Sequence, residues 1–241
     1  ADDGTLVPAG VARLSMTMAE LSAGQVLSGT LRGGEPAVFA TGVSDSRVQV
    51  TDILALRDGE LGNLTVSDST GVSREIYRYL GLFPTDIDGD GVTELPVPEE
   101  LLSSGDTESG CRVSWRSYDA AGTGETALSA YHALADGWYL VLPESWGDAL
   151  SVRTEGAGSD ASLASFGIGT GDGRIEILRI YTFSGENRET LAAKGGRVLL
   201  SREGETIYSA ELLEAGAFTL TEDSLRQSFH RVSRVWSPGG N

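Results

Sequence analysis

The chain has 241 residues and carries 35 Asp and Glu against 18 Lys and Arg, a formal net charge of −17. A surface this acidic repels phosphate and anionic lipid, which argues against nucleic acid or a charged membrane face as partner. Hydrophobic residues are 40% of the whole, enough for a sizeable core in one large or two modest domains, yet no apolar run is long enough to span a bilayer. The 32 glycines point to many turns and a β-rich fold, and one cysteine, Cys111, leaves no intramolecular disulfide. The opening ADDGTLVPAG has neither a starting Met nor a signal-peptide pattern, so a mature or trimmed piece of a longer protein is expected.

The first half reads as strands. RLSMTMAEL alternates apolar and polar residues, and AGQVLSGTLRGGEPAVFATGV places two apolar runs about a Gly-Gly turn. RVQVTDILAL is joined to LGNLTVSDS by RDGE, whose Asp-Gly pair is a hairpin signal. REIYRYLGLF, an acidic loop and LPVP follow, and PEELLSS has the makings of one helical turn.

From about Gly110 the pattern changes. In CRVSWRSYD the residues Cys111, Val113 and Trp115 share an apolar face, which predicts a buried structural thiol. TALSAYHAL and WYLVLP continue as strands, with Trp138, Leu140 and Leu142 on one face and Pro143 as terminator. LSVRTE and LASFGI follow, and RIEILRIYTF is apolar on both faces, as a central strand should be. ENRETLAAK predicts a helix stopped by Gly195, and GRVLLSREGETIYSAEL a hairpin about Glu203 and Gly204. In TEDSLRQSFHRVSRVW, Thr221 is a natural N-cap, and Leu225, Phe229, Val232 and Trp236 form one helical stripe. The expected class is α+β: an antiparallel β-rich half over 1–124, then an α+β module over 125–241 with a C-terminal helix.

The segment PTDIDGDGVTELPVP crowds Asp86, Asp88, Asp90 and Glu94 into nine residues. Carboxylates at positions one, three, five and nine of a tight turn converge on one point, Gly91 permits the positive φ that folds the loop back, and the carbonyl of Val92 faces the same point. Without a cation each close pair repels by roughly 1 kcal/mol even under strong screening. Hard oxygens in flexible number suit Ca²⁺ better than Mg²⁺, which demands a smaller and stricter shell. The plain alternative is a metal-free Asp-Gly turn.

The loop departs from an EF-hand, because position twelve is Val97 and the prolines Pro96 and Pro98 forbid a following helix. D-x-D-G-D-G-x-x-E followed by Leu95 resembles the calcium loops of FG-GAP and VCBS repeats, which are blades of β-propellers. The resemblance implies ligands at Asp86, Asp88, Asp90, Glu94 and the Val92 carbonyl, with a structural Ca²⁺. TDILALRDGELGNLTVS followed by DIDGDGVTELP is similar to segments of secreted proteins and lipoproteins of Gram-positive gut bacteria. DGWYLVLPESW resembles the opening of a small module in that group, one similar in outline to PsbP-like domains. What this implies is an extracellular or cell-surface bacterial protein with an extracellular protein or glycan as partner. A propeller takes four to eight blades, and the strands here suffice for about two, so an incomplete propeller-blade-like region is expected.

Catalytic patterns are sparse. His132 and His230 stand in no motif, GVSDS is not a nucleophile elbow, and no phosphate loop or zinc quartet is present. The leading expectation is therefore a non-enzymatic interaction or scaffolding protein. Two rivals remain open: a glycan or cell-wall hydrolase using Glu144 beside Trp146 or a constellation that distant residues form in space, and a carbohydrate-binding module if Trp138 or Trp146 is exposed.

Overall fold

A computed structural model of the chain describes residues 10–101, 110–156 and 160–232. Its described residues divide into two compact units, one of 10–98 and Ser114–Leu128, the other of 99–101, 110–113 and Ser129–Val232. The structure is β-rich, with several antiparallel sheets, none closed among the described residues, and a helix near the C-terminus.

The first unit begins with a helix where alternation predicts a strand: α1 spans Met18–Ser22. The apolar spacing of Leu14, Met16 and Met18 is overridden by a capping box, in which Thr17 Oγ1 accepts from the Glu20 amide and Glu20 Oε2 accepts from the Thr17 amide. Then come β1 (Gln25–Thr30), β2 (Pro36–Val43), β3 (Val48–Arg57), β4 (Glu60–Asn63) and β5 (Ile76–Arg78). They form one sheet in the order β1-β2-β3-β4, with β5 also paired to β3. The β3–β4 hairpin turns on Asp58 and Gly59, both at positive φ (52° and 85°), the two left-handed residues of a tight hairpin turn. One face of this sheet packs Phe39, Ile53 and Ala55 with Leu31, Leu64, Leu95 and Tyr118.

The chain continues through β6 (Leu95–Glu99), β7 (Cys111–Tyr118), β8 (Gly124–Ala133) and β9 (Trp138–Val141). Pro98 and Glu99 thus end a strand and do not start a helical turn; Leu102, Ser103 and Ser104 of that expected turn lie outside the described residues. The division between the units falls within β6, β7 and β8.

In the second unit, β10 (Leu150–Gly156), β11 (Ala161–Ile168), β12 (Ile175–Phe183), β13 (Val198–Glu203) and β14 (Thr206–Leu212) form a sheet ordered β10-β11-β12-β14-β13. The two-sided apolar run of RIEILRIYTF is the middle strand, as its pattern requires. Leu178 and Ile180 enter the main core with Trp138, Trp146 and Phe166, while Tyr181 and Phe183 pack with Ile207 and Ala192 of α2 (Arg188–Ala192).

The last helix is shorter than its stripe predicts. Thr221 caps α3 (Glu222–Ser228), accepting from the Ser224 amide, but the helix ends before Phe229. Phe229–Arg231 form β15, paired with β9 so that Phe229 faces Leu140, His230 faces Tyr139 and Arg231 faces Trp138. The third sheet accordingly runs β15-β9-β8-β7-β6. Leu225 and Phe229 are buried either way, so a helical stripe and a helix-to-strand junction satisfy the same apolar residues. The backbone partners offered by β9 decide between them. Trp236 lies outside the described residues.

Candidate metal centre

The acidic loop lies within the first unit, between β5 and β6. Its mouth is closed by an antiparallel bridge: Thr85 N–H donates to the Glu94 carbonyl at 3.0 Å and Glu94 N–H to the Thr85 carbonyl at 2.9 Å. Side chains alternate along it. Ile87 is buried, whereas Asp86, Asp88 and Asp90 are exposed. Gly89 and Gly91 both take positive φ (81° and 89°), which lets the backbone wrap around the carboxylates.

Each aspartate is oriented by a backbone amide. Asp86 accepts from Gly89 at 2.7 Å and from Gly91 at 3.0 Å, Asp88 from Asp90 at 3.2 Å, and Asp90 from Val92 at 2.7 Å. One carboxylate oxygen from each of Asp86, Asp88 and Glu94 comes within 4.8 Å of the other two. Asp90 is not in that trio; its carboxylate is turned to the Val92 amide.

Glu94 differs from the other three. It is 0% exposed. Its Oε2 accepts from the Ile87 amide at 3.1 Å, but Oε1 is buried with no hydrogen-bond partner. A buried carboxylate oxygen left in this state is costly. Burial pushes its carboxyl up to about 7; the Ile87 amide opposes that, and the charges of Asp88, Asp90 and Asp86 reinforce it. Three carboxylates, one of them inside the protein with an unpartnered oxygen, make a hard-oxygen donor set of the kind that holds a divalent cation. The spacing of the acids was readable from sequence; the burial of Glu94 was not, because it depends on Leu95 entering the core one residue later.

The other sequence candidates are placed differently. His132, on β8, is fully buried and stacked on Tyr139 with ring centroids 5.0 Å apart. Burial pushes its imidazole down to about 3, so it is neutral at ordinary pH. His230 is on a strand and not within a helix as the stripe implied; it is exposed and stacks on the same tyrosine at 4.9 Å. The two histidines are thus cross-strand neighbours of Tyr139, a grouping visible only once β15 is known to pair with β9.

Trp138 and Trp146 are 0% and 1% exposed, and their indole N–H groups donate to Thr182 Oγ1 at 3.2 Å and to the Phe218 carbonyl at 3.0 Å. Neither offers a ring face for stacking on a sugar, so the exposure on which a carbohydrate platform at these positions depends is missing. Glu144 is exposed at the start of a 3-10 segment, Glu144–Ala149. Cys111, expected to be buried, is half-buried at the first position of β7. No protein-family model matches the chain, and neither does any curated protein or any solved structure.

Proposed function

We propose that this is a non-enzymatic secreted or cell-surface bacterial protein in which residues 86–94 hold a structural Ca²⁺, and that the stapled β-rich region serves interaction or scaffolding with an extracellular protein or glycan. The observation that carries the metal is the buried, unpartnered Oε1 of Glu94 beside the carboxylates of Asp86 and Asp88. In this reading Asp86, Asp88, Asp90, Glu94 and the Val92 carbonyl supply oxygens, with Asp90 turning from the Val92 amide as the ion enters. The cation removes the mutual repulsion of the acids and satisfies Glu94. Ca²⁺ is favoured over Mg²⁺ because the donors come from one flexible turn and their number can vary. Calcium modules of extracellular proteins bind at about 10⁻⁴–10⁻³ M, so such a loop fills outside the cell and stays largely empty within it. The blade-like reading draws on the antiparallel run β1-β2-β3-β4, since a propeller blade has four strands, with β5 as a fifth strand on β3 that a plain blade lacks.

Thermal unfolding in excess Ca²⁺ and in chelator tests the metal. At a free concentration about a hundredfold above Kd, binding adds roughly 2.7 kcal/mol, or a rise of roughly 5–10 °C for a chain of this size. Asp88→Ala abolishes the difference. Coincident wild-type curves with calcium raised to about 100 mM, a hundredfold above the weaker of these constants, would overturn the proposal.

A further inference from the structure

We infer that calcium loading of the loop and capping of the β1 edge are one coupled event, transmitted by Thr93, so that Gly29 and Thr93 set metal affinity without supplying a ligand oxygen. The inference rests on the calcium reading of residues 86–94.

The geometry lies in three consecutive residues. Glu94 turns its side chain into the acidic cluster, Leu95 enters the hydrophobic core, and Thr93, just before them, reaches the edge strand β1. The Thr93 amide donates to the Thr30 carbonyl at 2.9 Å, and the Thr30 amide donates to Thr93 Oγ1 at 3.4 Å. β1 is the last strand in the order β1-β2-β3-β4, so at Thr30 its outer edge is met by this segment of chain and not by another strand of the sheet. Open edges recruit other strands, and covering them is a recurrent device.

Contact at this point is close. A Cβ added to Gly29 would lie 2.3 Å from Thr93 Oγ1, 2.9 Å from Thr93 Cβ and 3.0 Å from the Phe39 ring. Gly29 is therefore what lets Thr93 seat against β1. Because the Thr85–Glu94 bridge joins both ends of the loop, the position of Thr93 and the aim of Glu94 are set together. A cation bound by the buried Glu94 carboxylate holds Thr93 on Thr30. Conversely, a β1 that cannot receive Thr93 displaces Glu94 from the cation, as reciprocity of coupling requires.

Two measurements decide it: calorimetric titration of the whole chain with Ca²⁺, and amide hydrogen exchange in calcium and in chelator. In Gly29→Ala, which keeps every carboxylate, calcium binding weakens by about tenfold. In the wild type, exchange at the Thr93 amide speeds on chelation by a similar factor, while the amides of Phe39 and Ile53 in β2 and β3 keep their protection. Exchange in the wild type is decisive even if Gly29→Ala does not fold. Calcium binding with unchanged Thr93 exchange overturns the coupling and leaves the metal site standing. No calcium binding in the wild type removes the metal reading, and the coupling with it.

Discussion

Two aspartate-headed turns of the first unit handle the same problem in opposite ways. In the loop 119–123, Asp119 Oδ1 accepts from the Ala121 and Thr123 amides at 2.9 and 2.8 Å, and Arg32 lies 3.5 Å from its other oxygen. Arg74 then donates to the carbonyl of Gly122 at 3.2 Å. The Thr123 amide foremost, with Ala121 and Arg32, holds the Asp119 carboxyl below the usual range. In the loop 86–94 the amides are supplied just as fully, yet the Glu94 carboxyl is driven up to about 7 by burial. The difference is burial first, which raises the Glu94 carboxyl more than anything else does, and a positive charge second. The 119–123 turn has one in Arg32, two residues past the end of β1, whereas the charges acting on Glu94 are those of Asp88, Asp90 and Asp86. Counting acids therefore says little; what matters is whether the fold supplies the counter-charge, and where it does not, a cation from solution is the natural complement.

The largest expected effect that would break this contrast comes from Glu94→Gln. Glu94 binds its proton more tightly in the folded chain than in the unfolded one, so without metal the protein loses stability as pH rises from about 4.5 to about 7, and the whole penalty is present above that. At pH 8 in chelator the variant should be more stable than the wild type by about 3 kcal/mol, with the gap closing below pH 4.5. In saturating calcium the order should reverse, because the amide cannot replace a charged ligand. Urea denaturation at several pH values reads both signs. A variant less stable than the wild type in chelator would mean that Glu94 is already satisfied within the fold.

A smaller effect is expected at Gly91, whose φ is 89° with open space where a Cβ would stand. Gly91→Ala therefore suffers backbone strain alone, about 1–2 kcal/mol. Since the loop must hold that conformation to converge its oxygens, calcium affinity falls with stability, measured by titration and by melting. The smallest effect belongs to Asp119→Ala. Its turn is partly exposed and carries its own cation, so the melting midpoint should drop slightly and by the same amount in calcium and in chelator. A calcium-dependent drop would erase the distinction between the two turns.

Legibility from sequence followed the range of the interactions involved. The Asp-Gly hairpin at 58–59, the N-cap at Thr221 and the glycines of the acidic loop were readable because each is settled within four or five residues by local sterics and short hydrogen bonds. The capping box of α1 was also present in the sequence as T-x-x-E, and it outweighed an alternation that suggests a strand. The middle position of β12 followed from its two apolar faces. The end of α3 did not follow, because Phe229 and Leu225 fit a helix or a junction equally well.

By itself, then, the sequence determined the period of its strands, the sites of its tight turns and the presence of a carboxylate-rich loop able to meet a hard cation. Tertiary structure alone decided that Glu94 is buried with one oxygen unanswered, that Arg32 reaches Asp119, that Thr93 rests on Gly29, and that His132 and His230 share Tyr139. Each of these joins residues distant in the chain or depends on which side chain the core admits. Backbone sterics act over a few residues, whereas desolvation and charge pairing depend on whatever the fold brings near.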